Sequence, residues 1–486
     1  MVGFGDINQW QPPNGAVTTW MASPAGRAAA QSARRGDVPA SYQQIQHLWT
    51  AYEGSAMGLR QPRLMVVAWE IAGVCDLAAM TAAITTHVRR HDTYQNWFEF
   101  ENDVIVRRTI EDPKLIEFVP TEFGNMRTDQ IRRHALTMTP PTLEWDCFTF
   151  GVVQHVGYFT FYASVDHLHI DGMSAAVIFF DINLIYQELR QAAARQQPST
   201  LPPAGSYHDY TVRQHEQVGS LTLSSPGIKG WIEFARDIEG VWPRFPLPLG
   251  SKGATGKGEF VTVELLDAAQ TESFDTACRA AGARFSGGVL ACAALAERQL
   301  TGTETYHVFT PYDTRRPGVD SMSVGWFASL FPVTVPTGDG SFGAAARAAQ
   351  KSFDDSKHLA SVPMDRVMEL ATPSQLGIRP LTRPAMMVSF LDFTKIPVAA
   401  LFEQANFGTY GDDLSHGGVN MWINRQADKT TLTISFPETP KARKSVRRYI
   451  TALTEAFAGA VKTTSDWVDA VEDHANTDHG TPVINL

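Results

Sequence analysis

In residues 158–167, YFTFYASVDH, apolar and polar side chains alternate: Phe159, Phe161, Ala163, Val165 and His167 fall on one face, Thr160, Tyr162, Ser164 and Asp166 on the other. A period of two predicts a strand with one apolar face. WDCFTFGVVQ (145–154) just before it predicts the partner strand of a hairpin. RLMVVAWEI (63–71) carries the continuous apolar run of a buried strand. The period then lengthens in DLAAMTAAITTHVRRH (76–91), where Leu77, Met80, Ile84 and Val88 form one helical stripe and Asp76 stands where an N-cap belongs. MSAAVIFFDINLIYQELRQAAAR (173–195) predicts a second helix, apolar all round in its first half and therefore buried.

The same alternation of element types returns further on. TESFDTACRAAG (271–282) and GGVLACAALAERQL (287–300) predict helices. TYHVFTPYD (305–313), LFPVTVP (330–336), AMMVSFLDF (385–393), VNMWINR (419–425) and TLTISFP (431–437) predict strands. A basic amphipathic helix, KARKSVRRYITALTEAFAGAV (441–461), closes the pattern with Val446, Ile450, Leu453 and Phe457 as its stripe. Three stretches punctuate it: a polar opening up to about residue 37, the Pro- and Gly-containing RQQPSTLPPAGSYHDY (195–210), and the polar tail from Asp473. Both halves mix helices with strands. The expected architecture is two α/β-type sandwich domains, residues 1–194 and 211–472, with a linker at 195–210 and a flexible tail at 473–486.

A chain of 486 residues is long enough for two cores. Its net charge of −10, with no basic stripe, argues against a nucleic-acid partner. Four cysteines without C-x-x-C spacing argue against a zinc knuckle or a redox pair and fit reduced thiols. The opening MVGFGDINQW lacks the basic and apolar regions of a secretory signal, and no run approaches about 18 apolar residues. A cytoplasmic protein is expected.

Candidate chemistry lies in ASVDHLHIDG (163–172). On a continued strand His167, His169 and Asp171 would share a face and could converge on a metal. Gly172, however, stands where metallo-hydrolases of the H-x-H-x-D-H kind carry another histidine, and His87 and His91 lack an obvious third ligand. In the other functional reading His167, delivered by the apolar face to the strand's end, is a neutral base, while Asp171 and Gly172 form the turn into the buried helix. A core histidine satisfied by backbone groups stays open beside both. SKGATGKGE (251–259) lacks the first glycine of a P-loop and is expected to be a mobile loop. HGG (416–418) has no accompanying G-x-S-x-G, so a serine hydrolase is not indicated.

The string H-x-x-x-D-G, from His167 to Gly172, resembles the active-site motif of the condensation-domain acyltransferase superfamily, which includes chloramphenicol acyltransferases and polyketide-associated acyltransferases. Companions follow in order: VPASYQQIQHLW (38–49), the RHD of residues 90–92, YHDYTV (207–212), TPYDTR ending at Arg315, and VGWFASLFPVTV (324–335). The wording of LPPAGSYHDY, FPLPLG, DTRR and GWFASLFPVTVP resembles the mycobacterial trehalose-lipid branch. Two departures stand out. The first histidine of H-H-x-x-x-D-G is Asp166, which strand parity turns away from His167, and the D-F-G-W-G loop survives only as Phe407 and Gly408.

The resemblance implies an α/β (α+β) fold of two chloramphenicol-acetyltransferase-like sandwich domains with an active-site tunnel between them. It implies direct acyl transfer from a thioester to a hydroxyl, with His167 as general base and then as proton donor to the thiolate, at a pKa near neutrality. Asp171 would be structural, paired with Arg315 from the second domain, and Gly172 would complete the turn. No metal and no cofactor are implied. Expected substrates are trehalose or a trehalose derivative and a long-chain acyl-CoA or synthase-bound acyl thioester, at the inner face of the plasma membrane. Apolar residues at the domain seam would hold the acyl chain. Two competing functions use the same residues: a non-catalytic lipid-binding or scaffold protein, which Asp166 would favour, and transfer to a different alcohol.

Overall fold

The computed structural model describes residues 3–191, 201–250, 256–372, 377, 385–396, 399–415 and 417–477. Two seven-stranded sheets organise them. The first runs in the spatial order Gly3–Asp6, Gly408–Gly411, Leu64–Ala72, Tyr158–Asp166, Phe148–Gln154, Gly15–Ala22, Phe118–Met126. The second runs Ala328–Pro336, Thr305–Asp313, Met387–Asp392, Asn420–Arg425, Lys429–Pro437, Gly256–Asp267, Leu414–Ser415. A small third sheet joins Arg34–Arg35, Val104–Thr109 and Asn96–Glu101.

Helices cover one face of each large sheet. Against the first lie Leu77–Arg90, capped by Asp76 through the Ala79 amide, and Gly172–Gln191. They bury Met80, Ile84, Val88, Ile178 and Ile182 on Trp69, Phe150 and Phe161. Against the second lie Ala268–Ala280, Phe285–Thr301, Phe342–Ser356 and Pro440–Thr477, with Val446, Leu453 and Phe457 packed among Phe331, Leu432 and Ile434. Two helix-backed sheets make the mixed α/β sandwich pair that the periodicities predict.

The structure departs from the sequence pattern in three places. The polar opening is not punctuation. Gly15–Ala22 is an inner strand of the first sheet with Trp20 wholly buried, and its short alternation is masked by Thr18 and Thr19. The face of Tyr158–Asp166 read as polar is buried too, and its polar atoms are bonded: Tyr162 to Thr19 at 3.1 Å and Ser164 to Thr139 at 2.8 Å. Gly408–Gly411, from the second half, pairs antiparallel with Leu64–Ala72 in the first sheet, so the echo of the D-F-G-W-G loop is a strand that crosses between the sheets.

Residues 195–200 of the linker, 251–255 of the SKGATGKGE loop, His416 of HGG and 478–486 of the tail lie outside the described residues. Linker residues 207–210 open the helix Tyr207–Gly219, and 473–477 belong to the helix Pro440–Thr477. Among the described residues no helix is long and apolar enough to cross a membrane.

Candidate active site

The central strand Tyr158–Asp166 ends where parity predicts, but His167–His169 then wind into a single 3₁₀ turn, and the strand's period stops at Asp166. The three candidate ligands consequently part company. His169 is buried and shares a hydrogen bond with Thr93 at 2.9 Å. Asp171 turns to Arg315, and His167 turns to Trp326. A metal site built from this stretch would need all three on one face.

His167 is half-buried. Its ring centre lies 3.9 Å from that of Trp326, and its Nδ1 is shielded without a hydrogen-bond partner. Burial first, and the nearby His47 second, push its pKa down to about 4 against the pull of its own carbonyl, Asp171 and Asp166. The ring is therefore uncharged at neutral pH. This is lower than the near-neutral value expected from the sequence, because burial outweighs the pull of Asp171 and Asp166.

Asp171 holds the junction. Its Oδ2 accepts from Nη1 of Arg315 and its Oδ1 from Nη2, both at 2.9 Å. The Ser174 amide donates to Oδ1 at 2.8 Å, and the amides of Phe327 and Ala328 donate to Oδ2 at 2.9 and 3.2 Å. Burial would raise this carboxyl, but Arg315 and the amides outweigh it and hold it below the usual range. Arg315 also lies over the Phe327 ring at 4.1 Å. One carboxylate thus ties the start of helix Gly172–Gln191 to the loop that carries Trp326.

That loop is held from several sides, which accounts for the spacing of V-G-W-F. The Val324 amide donates to Nδ1 of His91 at 3.4 Å. The Gly325 amide donates to the Ser174 hydroxyl at 3.1 Å, and a Cβ on Gly325 would collide with the Tyr207 ring. Tyr207 donates to the Trp326 carbonyl at 2.9 Å, and Phe327 is wholly buried. At Gly172, by contrast, an added Cβ would meet no atom within 4 Å. Packing in the free protein does not demand this glycine, and the space beside the turn is open.

The accompanying motifs are struts for the same junction. Ser41 caps helix Tyr42–Ala56, and Gln44 of that helix donates to the Leu168 carbonyl inside the 3₁₀ turn at 3.1 Å. Asp92 accepts from the Tyr207 amide at 2.8 Å, at the first turn of helix Tyr207–Gly219. His87 and His91 do acquire a third neighbour, Asp181, which the sequence did not reveal. Its Oδ2 lies 2.7 Å from Nε2 of His91 and 3.3 Å from Nδ1 of His87, and accepts from Nε of Arg90 at 3.1 Å. With a guanidinium on that oxygen and His91 pushed by burial to a pKa of about 4, the cluster is a buried hydrogen-bond network that steadies the RHD turn.

Three residues of the site escaped the sequence reading: Trp326, His47 and Arg63. Trp326 and His47 sit inside quoted motifs, at positions where the resemblance specifies no residue type, so nothing in a single chain marked them. Arg63 precedes a buried strand and gives no signal of its own. Its Nη1 donates to Asp166 at 2.9 Å.

Against known families, the condensation-domain model matches residues 63–406. The trehalose-2-sulfate acyltransferase PapA2 of Mycobacterium tuberculosis (strain H37Rv) is 45% identical over 94% of this chain and 97% of its own. The 2'-acyl-2-O-sulfo-trehalose (hydroxy)phthioceranyltransferase PapA1 of Mycobacterium tuberculosis is 44% identical over 93% of this chain and 87% of its own. The solved structure of a PapA2 acyl transferase superposes with a TM-score of 0.90 at 45% identity, covering 94% of this chain and 99% of that one.

Proposed function

The chain belongs to the condensation-domain family, and from that premise we propose that it moves a long-chain acyl group from a thioester to a hydroxyl of a trehalose derivative, with His167 as the base. It is an acyltransferase, as its close relatives are named. The acceptor follows the relatives' names, which specify trehalose-2-sulfate and an acylated sulfo-trehalose, and the transfer is a step of cell-envelope glycolipid assembly. An acyl-CoA or a synthase-bound acyl thioester is the donor. The reaction takes place against the inner face of the plasma membrane.

The observation that carries the reading is the placement of one uncharged, half-buried imidazole against Trp326 of the other half, beside open space at Gly172. As the acceptor oxygen attacks the thioester carbon, its O–H proton passes to His167 while the C–O bond forms. The carbonyl oxygen carries the negative charge until the C–S bond breaks, and His167 then returns the proton to the sulfur. A positioned base of this kind contributes about 10²–10⁴-fold, and holding both substrates at the junction supplies the larger part. Asp171 and Arg315 do not exchange protons here. They fix the turn that presents the ring.

The test is release of free thiol from palmitoyl-CoA in the presence of trehalose or 2-O-sulfotrehalose, followed with a chromogenic thiol reagent. Sugar-dependent release that disappears in His167→Ala is expected. Binding of both substrates with no release above the blank would instead make the protein a carrier of the same fold.

A further inference from the structure

Helix Tyr42–Ala56 brings a second imidazole up to the base. The ring of His47 lies 6.4 Å, centre to centre, from that of His167 and meets Trp326 edge-on at 5.6 Å. Its Nε2 is 2.7 Å from Oδ1 of Asp166. Asp166 is fully buried and also accepts from Leu168 N at 3.0 Å, Arg63 Nη1 at 2.9 Å and Thr142 Oγ1 at 2.7 Å. Burial would raise the Asp166 carboxyl, but His47, Arg63 and the Leu168 amide overcome it and hold it far below the usual carboxylate range. An ionised carboxylate only accepts, so Nε2 of His47 carries a hydrogen. Nδ1 of His47 has no hydrogen-bond partner among the described residues.

We propose that His47, held by Asp166, is a positioning residue of the transfer site: it takes the first proton that the two neighbouring rings share, and so leaves His167 free to receive the proton of the acceptor hydroxyl. This rests on the reading of His167 as the base. Asp166 stands where the H-H-x-x-x-D-G pattern has its first histidine, and the imidazole arrives from position 47 instead. Facing His47 are Asp166, Trp326, His167 and, through Asp166, Arg63. Facing His167 are Trp326, His47 and the charges of Asp166 and Asp171, the latter neutralised by Arg315. Two imidazolium charges at this spacing repel, and the carboxylate against His47 decides which ring keeps the proton. The proton on His47 is not consumed, since the one taken from the hydroxyl returns through His167 to the sulfur.

The test is the acid limb of kcat/KM, which reports ionisations of the free enzyme. His47→Gln keeps an N–H toward Asp166 and removes the charge. Its limb should move to higher pH by about one unit, a tenfold loss of activity at a pH on the limb. His47→Lys, which keeps a charge, should leave the limb near that of the unsubstituted protein. Independently of turnover and of any variant's folding, ¹⁵N-imidazole NMR of the unsubstituted protein should show His47 protonating before His167 as the pH falls. An unmoved limb in His47→Gln, or His167 taking the first proton, overturns the proposal. Absence of thiol release from the unsubstituted protein, with the NMR order intact, would count against the transferase reading and not against the pair.

Discussion

Arg315 meets both carboxylate oxygens of Asp171 at 2.9 Å, one residue from each half of the chain, with side-chain exposures of 5% and 2%. The pair does more than join two surfaces. The same carboxylate collects the amides of Phe327 and Ala328, so the loop bearing Trp326 is positioned by the residue that begins the turn after His167. Removing Arg315 leaves the Asp171 carboxylate buried without a cation, and removing Asp171 leaves the buried Arg315 guanidinium with only the more exposed Asp313, at 3.2 Å. Arg315→Ala and Asp171→Ala should each lose about 3–5 kcal/mol of stability, read as a lowered urea midpoint, with activity falling in parallel. A loss below about 0.5 kcal/mol, the size usual for surface substitutions, would show that the junction does not depend on this pair.

His167→Ala should behave in the opposite way. The ring makes no side-chain hydrogen bond to lose and is only half-buried, so the fold should survive with a small drop in melting temperature. Turnover should fall by about 10²–10⁴-fold, with KM for the acceptor little changed, because the interaction removed is made as the proton moves. Retained turnover in a folded variant would transfer the role of base to another group.

Much of this arrangement is legible in the sequence. The period-two run 158–167 located the central strand and its end, and the helical stripe of Leu77, Met80, Ile84 and Val88 located the first covering helix, because burial on one face writes itself into spacing. Asp171 with Arg315 came from a resemblance between motifs 144 residues apart, a contact that no periodicity could supply. Trp326, Arg63 and the His47–Asp166 bond stayed hidden for a physical reason: they are pairings between distant elements, and each partner alone is an ordinary residue on an ordinary element. Trp20 was missed differently, since two threonines in a doubly buried strand imitate a polar segment.

Gly172→Ala separates room for a substrate from the needs of the fold. The added methyl meets no protein atom within 4 Å, and the residue starts a helix. Stability should be unchanged or improved by up to about 1 kcal/mol, since alanine narrows the unfolded ensemble. If the open space at Gly172 receives a substrate, KM for the sugar or the thioester should rise in this well-folded variant. Unaltered kinetics would place the bound substrates elsewhere.

Acid should weaken the fold in two stages. His91 and His169 are buried and pushed by burial to pKa values of about 4, below the roughly 6.5 of an unfolded histidine. Between those values the unfolded chain binds more protons than the native one, so stability rises with pH across this window and is lost as pH falls from about 6.5 toward 4. Asp166 and Asp171 are depressed instead, by Arg63 with His47 and by Arg315. Their contribution is fully present above the unfolded value near 3.9 and disappears only as pH falls below it. Melting temperature measured from pH 7.5 to 3.5 should therefore begin to fall near pH 6.5, well before the carboxylates titrate. His169→Gln, which removes one buried titrating ring and can keep a bond to Thr93, should flatten the upper stage and leave the lower one intact. A melting temperature that stays level down to pH 4.5 would mean that these rings are already charged, or already hydrated, in the folded protein.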